Sequence, residues 1–211
     1  MPLFDPDAID AVAHRHIGTR PFQRMFENIG ADLKARYPDD VYLDQPLVFN
    51  SAGGIMYQLK IFAMTPTEYI MICGSSISSS GYSGRHPVAF WDTVLSGEAR
   101  YMHEGELEAH SYRAGDRIFV DRWQVATIDF PDHCWMLEYA RGTLPALLPF
   151  GMANTFFNAL DFTSARRLLT IYATLALRYY RRRPAAVRLI TISTTAAARS
   201  GLWWLRSRGR S

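Results

Sequence analysis

Short apolar strands between glycine-rich turns, flanked at both ends by segments of helical periodicity, predict an α+β protein. Its centre is expected to be a closed β-barrel or a sandwich. Two observations carry this. From Leu47 to Arg141 strand-like runs follow one another at near-regular spacing, the pattern of closed or two-layered β architecture. On either side the apolar residues recur every three or four positions instead. The chain has 211 residues, 48% of them hydrophobic and 13% aromatic. That suffices for one domain with a sizeable core and argues against global disorder.

The first helical segment runs from Asp5 to Tyr37. Asp5 followed by Pro6 reads as an N-cap with proline in the first turn. Ile9, Val12, Ala13 and Ile17 then mark an apolar face that Gly18 can end. A second helix carries Phe22, Met25, Phe26, Ile29 and Leu33 and stops before Pro38. The expected strands are Tyr57–Met64, Glu68–Cys73, Ala89–Leu95, Glu106–Tyr112, Arg117–Val120, Val125–Phe130 and Cys134–Ala140. Gly53-Gly54, Gly81, Gly84, Gly97, Gly105 and Gly115-Asp116 are the turn signals between them. The Ala-Gly-Asp turn before Ile118 is of a kind common in cupin-type barrels. From Leu144 to Arg183 the periodicity is helical again. The expected division is 1–38 helical, 39–142 barrel, 143–183 C-terminal helices and 184–211 a basic tail.

Charge is distributed unevenly. Residues 1–161 hold all 20 acids against 12 Lys and Arg, whereas the remainder holds 11 Arg and no acid. A basic, acid-free end suits a polyanionic partner, either nucleic acid or a lipid headgroup surface. The apolar run Leu168–Leu177, bracketed by Arg166-Arg167 and Arg178 with Arg181–Arg183, favours the lipid surface and no nucleic acid. An apolar helix with arginines at both ends can lie in the membrane interface, and Trp203-Trp204 is a second candidate anchor. No run approaches the roughly 18 apolar residues of a spanning helix, and the acidic first twenty residues predict no signal peptide. The protein is therefore expected to be monotopic. Cys73 and Cys134 sit in apolar runs as reduced core residues, with neither a disulfide framework nor a zinc spacing.

Two carboxylates stand out by their surroundings. Asp92 lies in Phe90-Trp91-Asp92-Thr93-Val94-Leu95, and Glu138 in Cys134-Trp135-Met136-Leu137-Glu138-Tyr139. Alternation puts Asp92 on the face of Phe90 and Val94, and Glu138 on the face of Cys134 and Met136. If both faces point into a barrel, the two acids meet in an apolar interior and share a proton near neutral pH. One could then donate a proton while the other accepts one. The alternative is an exposed edge position or pairing with Arg85 or Arg141. His103 and His110, beside Glu104 and Glu106, lack the cupin ligand spacing, so no metal is expected. His14 and His16 read as solvated. Nucleophile-elbow and phosphate-loop patterns are absent, and no cofactor is expected.

A series of blocks resembles the sterol Δ8–Δ7 isomerase and sigma-1 receptor family. They are Asn50-Ser51-Ala52-Gly53-Gly54, Thr67-Glu68-Tyr69, Tyr82-Ser83-Gly84-Arg85-His86, Asp92-Thr93 and Ser96-Gly97. Cys134 to Gly142, Pro145, Phe150-Gly151, Thr155-Phe156 and Asp161-Phe162 follow in the same order. The resemblance implies a cupin-like β-barrel with an occluded, lipid-sized pocket, covered by two C-terminal helices that rest on the membrane. It implies a homo-oligomer, a trimer, that binds a sterol or a cationic amphiphile. It also implies a place on the endoplasmic reticulum in a eukaryote or on the cytoplasmic membrane in a bacterium. The family's essential acids fall on Asp92 and Glu138, and the supporting tyrosine on Tyr69. Pocket positions fall on Met71, Phe90, Phe130, Leu148 and Tyr172. Three departures are present: an N-terminal spanning helix is not found, Ile55 replaces the aromatic after the double glycine, and Val120 stands where His is frequent.

Overall fold

A computed structural model describes residues 2–183. The expectations for residues 184–211, the basic tail and the Trp203-Trp204 anchor, fall outside the described residues.

Helix α1 (Pro6–His16) starts as its sequence dictates, with Asp5 Oδ1 accepting the Asp7 N–H at 3.1 Å. Helix α2 (Phe22–Arg36) runs three residues past Leu33. Nine strands follow: β1 (Val48–Ala52), β2 (Ile55–Met64), β3 (Glu68–Ser75), β4 (Ser79–Tyr82), β5 (Val88–His103), β6 (His110–Arg113), β7 (Arg117–Val120), β8 (Ala126–Phe130) and β9 (Cys134–Gly142). All pairings are antiparallel, in the order β1-β2-β3-β9-β5-β8-β4, with β6 and β7 also pairing with β5. The sheet curls until β4 meets the β1–β2 turn, where the Tyr82 N–H donates to the Gly53 carbonyl at 2.8 Å. The result is a nearly closed antiparallel barrel, not a sandwich.

Strand alternation divides the apolar residues into two cores. Tyr69, Met71, Cys73, Val94, Met136 and Ala140 face inward. Ile70, Ile72, Leu95, Trp135, Leu137 and Tyr139 face outward and are covered by α1 and α2 through Ile9, Val12, Met25, Ile29 and Leu33. Met25, Ile29 and Leu33 are completely buried, a contribution of about 1.5–3 kcal/mol each. The N-terminus is fixed by a buried acid. Glu68 accepts the Leu3 N–H at 2.7 Å and the Tyr139 hydroxyl at 2.5 Å, and pairs with Arg141 at 3.5 Å.

The structure corrects several expectations. Glu106–Tyr112 is not one strand. Glu106 instead accepts the His103 N–H at 2.7 Å within a turn, and pairing resumes at His110. β5 does not end at Leu95 but runs through Ser96-Gly97, because a bulge near Leu95 absorbs the irregularity. β1 and β4 went unrecognised because Asn50-Ser51 and Ser79-Ser80-Gly81 carry too little apolar character. His16 is not solvated; its ring nitrogen lies 2.8 Å from Asp32.

Beyond β9 the expected helical stretch is broken into pieces. A 3-10 turn (Leu144–Leu147), α3 (Leu148–Ala153) and a π-helical turn (Asn154–Asn158) precede α4 (Phe162–Arg182). The break falls at Leu160, whose φ is +52°, and Asp161 caps α4 by accepting the Ser164 N–H at 2.9 Å. Leu168, Ile171 and Leu175 of α4 join the interior core, so these helices cover the barrel mouth. Three arginines read as reaching toward lipid phosphates point to the protein instead. Arg178 and Arg183 make bidentate contacts with Asp44 and Asp40 at 2.6–3.1 Å, and Arg182 bonds to Asp39. The basic end and the acidic body thus neutralise each other in part. Among the described residues, Arg166, Arg167 and Arg181 have no acidic partner.

Candidate functional site

The register of β5 and β9 sets Asp92 directly opposite Glu138, while on the other side of β9 Glu138 is opposite Met71. Directly opposed residues of an antiparallel pair hold their side chains about 4.5–5.5 Å apart at Cβ. Both acids turn into a cavity of about 490 Å³ between the barrel and the C-terminal helices. Asp92 is buried, and Glu138 is half-buried because its open side lines the cavity. Arg85 and Arg141 pair with neither; they contact Glu104 at 2.7 Å and Glu68 at 3.5 Å.

The two carboxyls are supported unequally. Glu138 Oε1 accepts the Tyr69 hydroxyl in a short hydrogen bond, and its Oε2 lies 3.5 Å from the Cys73 thiol. Asp92 has the Tyr101 hydroxyl at 3.3 Å on Oδ2, and its buried Oδ1 has no partner. Burial raises the pKa of both acids. For Asp92 the Glu138 charge raises it further, well above the usual carboxylate range. For Glu138 the donors Tyr69 and Cys73 work against burial and hold the rise down. The two carboxyls also act on one another, Glu138 raising the Asp92 pKa and Asp92 helping to hold that of Glu138 down. Two donors thus support the charged form of Glu138 and one supports that of Asp92.

Tyr101 reaches Asp92 because of the bulge in β5. The two are nine positions apart, so uninterrupted alternation would turn them to opposite faces. The register slips between Val94 and Ser96, which moves the inward set from Asp92 and Val94 to Gly97, Ala99 and Tyr101. Met71, Phe90, Phe130, Leu148 and Tyr172 line the same cavity as Tyr69, and so do Ile55 and Val120. The thiol of Cys73 is buried, and desolvation and the Glu138 charge hold its pKa well above the ordinary value. Among the described residues no group of three or more His, Cys, Asp or Glu side chains is placed to hold a metal ion.

Residues 2–179 match the family described as ERG2 and Sigma1 receptor like protein. The chain belongs to this family. Its relatives include a sigma non-opioid intracellular receptor 1 from Gallus gallus, 32% identical over 80% of this chain and 77% of the relative. The protein of that name from Danio rerio is 29% identical over 81% and 77%. A C-8 sterol isomerase ERG2 from Gibberella zeae is 32% identical over 76% and 69%. Among solved structures, a RmlC-like cupin from Shewanella frigidimarina aligns with 47% of this chain and 85% of its own, with a TM-score of 0.41 and 14% identity.

Several family blocks have a local physical reason here. Thr155 ties the π-helical turn to β1, its hydroxyl lying 2.8 Å from Asn50 Oδ1 and accepting the Ser51 N–H at 2.9 Å. Gly53 has φ +59°, and a Cβ there would meet the Tyr82 carbonyl oxygen at 1.9 Å, so the closure of the barrel requires glycine. Sequence reasoning missed Tyr101, hidden by the bulge, and Cys73, read only as core. It also missed Tyr57, on a strand recognised for its pattern but not for its hydroxyl.

Proposed function

We propose that this protein is a membrane-associated isomerase that moves a ring double bond of a sterol from the Δ8 to the Δ7 position. The observation that carries the reading is the in-register pair of unequally supported acids facing an apolar cavity. Asp92, the protonated member, gives its proton to one alkene carbon and leaves a tertiary carbocation on the other. Glu138, held as the anion by Tyr69 and Cys73, stabilises that cation and removes a proton from the neighbouring ring carbon. The new double bond forms from the electrons of the broken C–H bond. A proton has entered and one has left, so the substrate changes neither composition nor oxidation state. Passing the proton from Glu138 back to Asp92 across the β5–β9 pair restores the starting state. The dry surroundings strengthen the cation–carboxylate attraction and keep water from the cation.

The same site suits a cationic amphiphile, whose ammonium group would occupy the place of the carbocation against Glu138. A second reading follows: a non-catalytic binder of cationic amphiphiles and sterols. It is favoured by relatives of the receptor name that are as similar, at 29–32% identity, as the isomerase at 32%. The membrane part of the proposal is supported by an exposed apolar surface on the C-terminal helices, with Phe157, Leu160, Phe162, Leu169 and Leu177 beside Arg166 and Arg167. No described helix is long and apolar enough to cross a membrane. A homotrimer on the endoplasmic reticulum or a bacterial cytoplasmic membrane belongs to the same proposal. The deciding experiment is incubation of the purified protein with a Δ8 sterol and chromatography of the products. Conversion is expected for the native chain and is lost in Glu138→Gln and Asp92→Asn. Full activity in either folded variant would refute the mechanism, and amine binding without conversion by the native chain would favour the receptor reading.

A further inference from the structure

The cavity has a second polar group away from the acids. Tyr57 on β2 and Asn50 on β1 are register partners, both line the cavity, and Asn50 Nδ2 donates to the Tyr57 hydroxyl oxygen at 2.8 Å. The amide is fixed from behind, because its Oδ1 accepts the Thr155 hydroxyl at 2.8 Å. In this arrangement the Tyr57 oxygen is already an acceptor, and its own proton has no acceptor among the described residues. A buried hydroxyl that wastes its proton costs about 1–3 kcal/mol, so the group is built for something that enters the cavity. Tyr172, reaching in from α4, likewise has no hydrogen-bond partner among the described residues. Both phenols line the one cavity, and burial, followed by the Tyr172 phenol, holds the Tyr57 pKa well above its ordinary value.

We infer that Tyr57, presented by Asn50 and with Tyr172 beside it, is a hydroxyl-recognition site that fixes which way round a ligand lies in the cavity. A ligand hydroxyl can accept the proton of Tyr57 and give its own to Tyr172. A methyl ether can do only the first, and a hydrocarbon neither. Leu59 is opposite Cys73, which contacts Glu138, and Tyr57 is the next inward-facing position beyond Leu59. Glu138 is itself opposite Met71. Along the strands Tyr57 therefore lies four residues from the level of Glu138, about 13 Å of backbone. The Tyr57 phenol and the Glu138 carboxyl line the same cavity. A rigid skeleton of several fused rings, with a hydroxyl at one end and the reacting or cationic centre in its middle, spans this gap. A short amine does not. The Glu138 end of this pose rests on the proposed isomerase reading; the hydroxyl end does not.

The test uses the full chain in detergent and two probe pairs, measured by equilibrium dialysis. One pair is a neutral Δ8 sterol and its 3-deoxy counterpart; the other is a steroidal amine with and without the 3-hydroxyl. The native protein is expected to prefer the hydroxylated member of each pair by about fivefold to tenfold, the worth of one buried hydrogen bond. In Tyr57→Phe the preference should fall to near one while the deoxy probes bind as before, which also reports that the variant is folded. Equal binding of hydroxylated and deoxy probes by the native protein would overturn the inference, whether or not Tyr57→Phe folds. So would a preference that survives in folded Tyr57→Phe. Glu138→Gln reports separately: if it leaves amine affinity unchanged, the reading of Glu138 fails while the hydroxyl preference still decides the Tyr57 site. Failure of every probe to bind would sink both.

Discussion

Tyr69→Phe removes one oxygen atom and leaves a side chain that still fills its buried place on β3. Its consequence falls on Glu138. Without the phenol, Oε1 loses its donor and the carboxylate keeps only the Cys73 thiol at 3.5 Å. A hydrogen bond to a charged group is worth about 1.5–3 kcal/mol. At about 1.36 kcal/mol per pKa unit, that raises the Glu138 pKa by about one to two units. An ammonium ligand needs Glu138 ionised, so well below the native pKa its affinity should fall by about 10- to 150-fold, and by less as the pH approaches and passes that pKa. Affinity should recover as pH rises, since the variant carboxyl ionises later. Titration of a hydrophobic amine at several pH values, with circular dichroism to confirm the fold, measures both effects. A folded Tyr69→Phe with native affinity and an unshifted pH profile would refute the view that this phenol holds Glu138 as the anion.

Other outcomes follow from the same geometry. Turnover should have a bell-shaped pH profile, rising as Glu138 ionises and falling as Asp92 loses its proton. Both limbs should lie above the ordinary carboxylate value of about 4, because burial raises both acids; limbs at ordinary values would contradict a dry site. Since the folded-state pKa of Asp92 is raised, its contribution to stability is complete below the unfolded value and is lost as pH rises through the folded one. The melting temperature of Asp92→Asn should therefore fall less than that of the native chain on the alkaline side. Arg183→Ala strips the half-buried Asp40 of its bidentate partner and should cost about 1–2 kcal/mol, measured by denaturant unfolding; an unchanged midpoint would show that this tie does not hold α4. Phe157→Ser with Leu160→Ser should weaken binding to lipid vesicles about tenfold or more, since each exposed side chain is worth about 1.5–3 kcal/mol when buried. Raised salt should weaken binding only to anionic vesicles, and unaltered partitioning of the double variant would count against this face as the attachment surface.

Much of the barrel could be read from the chain because its strands obey simple alternation. Cys134 to Ala140 divides its side chains between interior and exterior as the pattern predicts, and Arg117–Val120 matches to the residue. Asp5-Pro6 marked the start of α1 for the same local reason that forms it. What local pattern could not convey was pairing at a distance. Nothing near Arg178 or Arg183 announces Asp44 and Asp40, more than a hundred residues earlier, so the arginines read as free for lipid. Glu68 looked no different from Glu138 in its strand, yet the Leu3 and Phe4 amides, Tyr139 and Arg141 satisfy it, and Glu138 is left facing the cavity. The site acids were legible as a pair of apolar-face carboxylates. How unequally they are supported was not, because Tyr69, Cys73 and Tyr101 arrive from other strands or beyond a bulge.

That bulge also limits how the gene can change. The stretch between Asp92 and Tyr101 works as a parity counter: one extra residue near Leu95 is what brings an odd-numbered tyrosine to the same wall as an even-numbered acid. Losing a single codon there would not merely shorten the strand. It would remove the bulge itself, leaving the tyrosine eight positions from the acid and so on the same wall by plain alternation. What the site does not tolerate is a change of one residue elsewhere in this stretch that leaves the bulge in place, since that would turn Ala99 and Tyr101 outward and present Arg100 and Met102 to the interior.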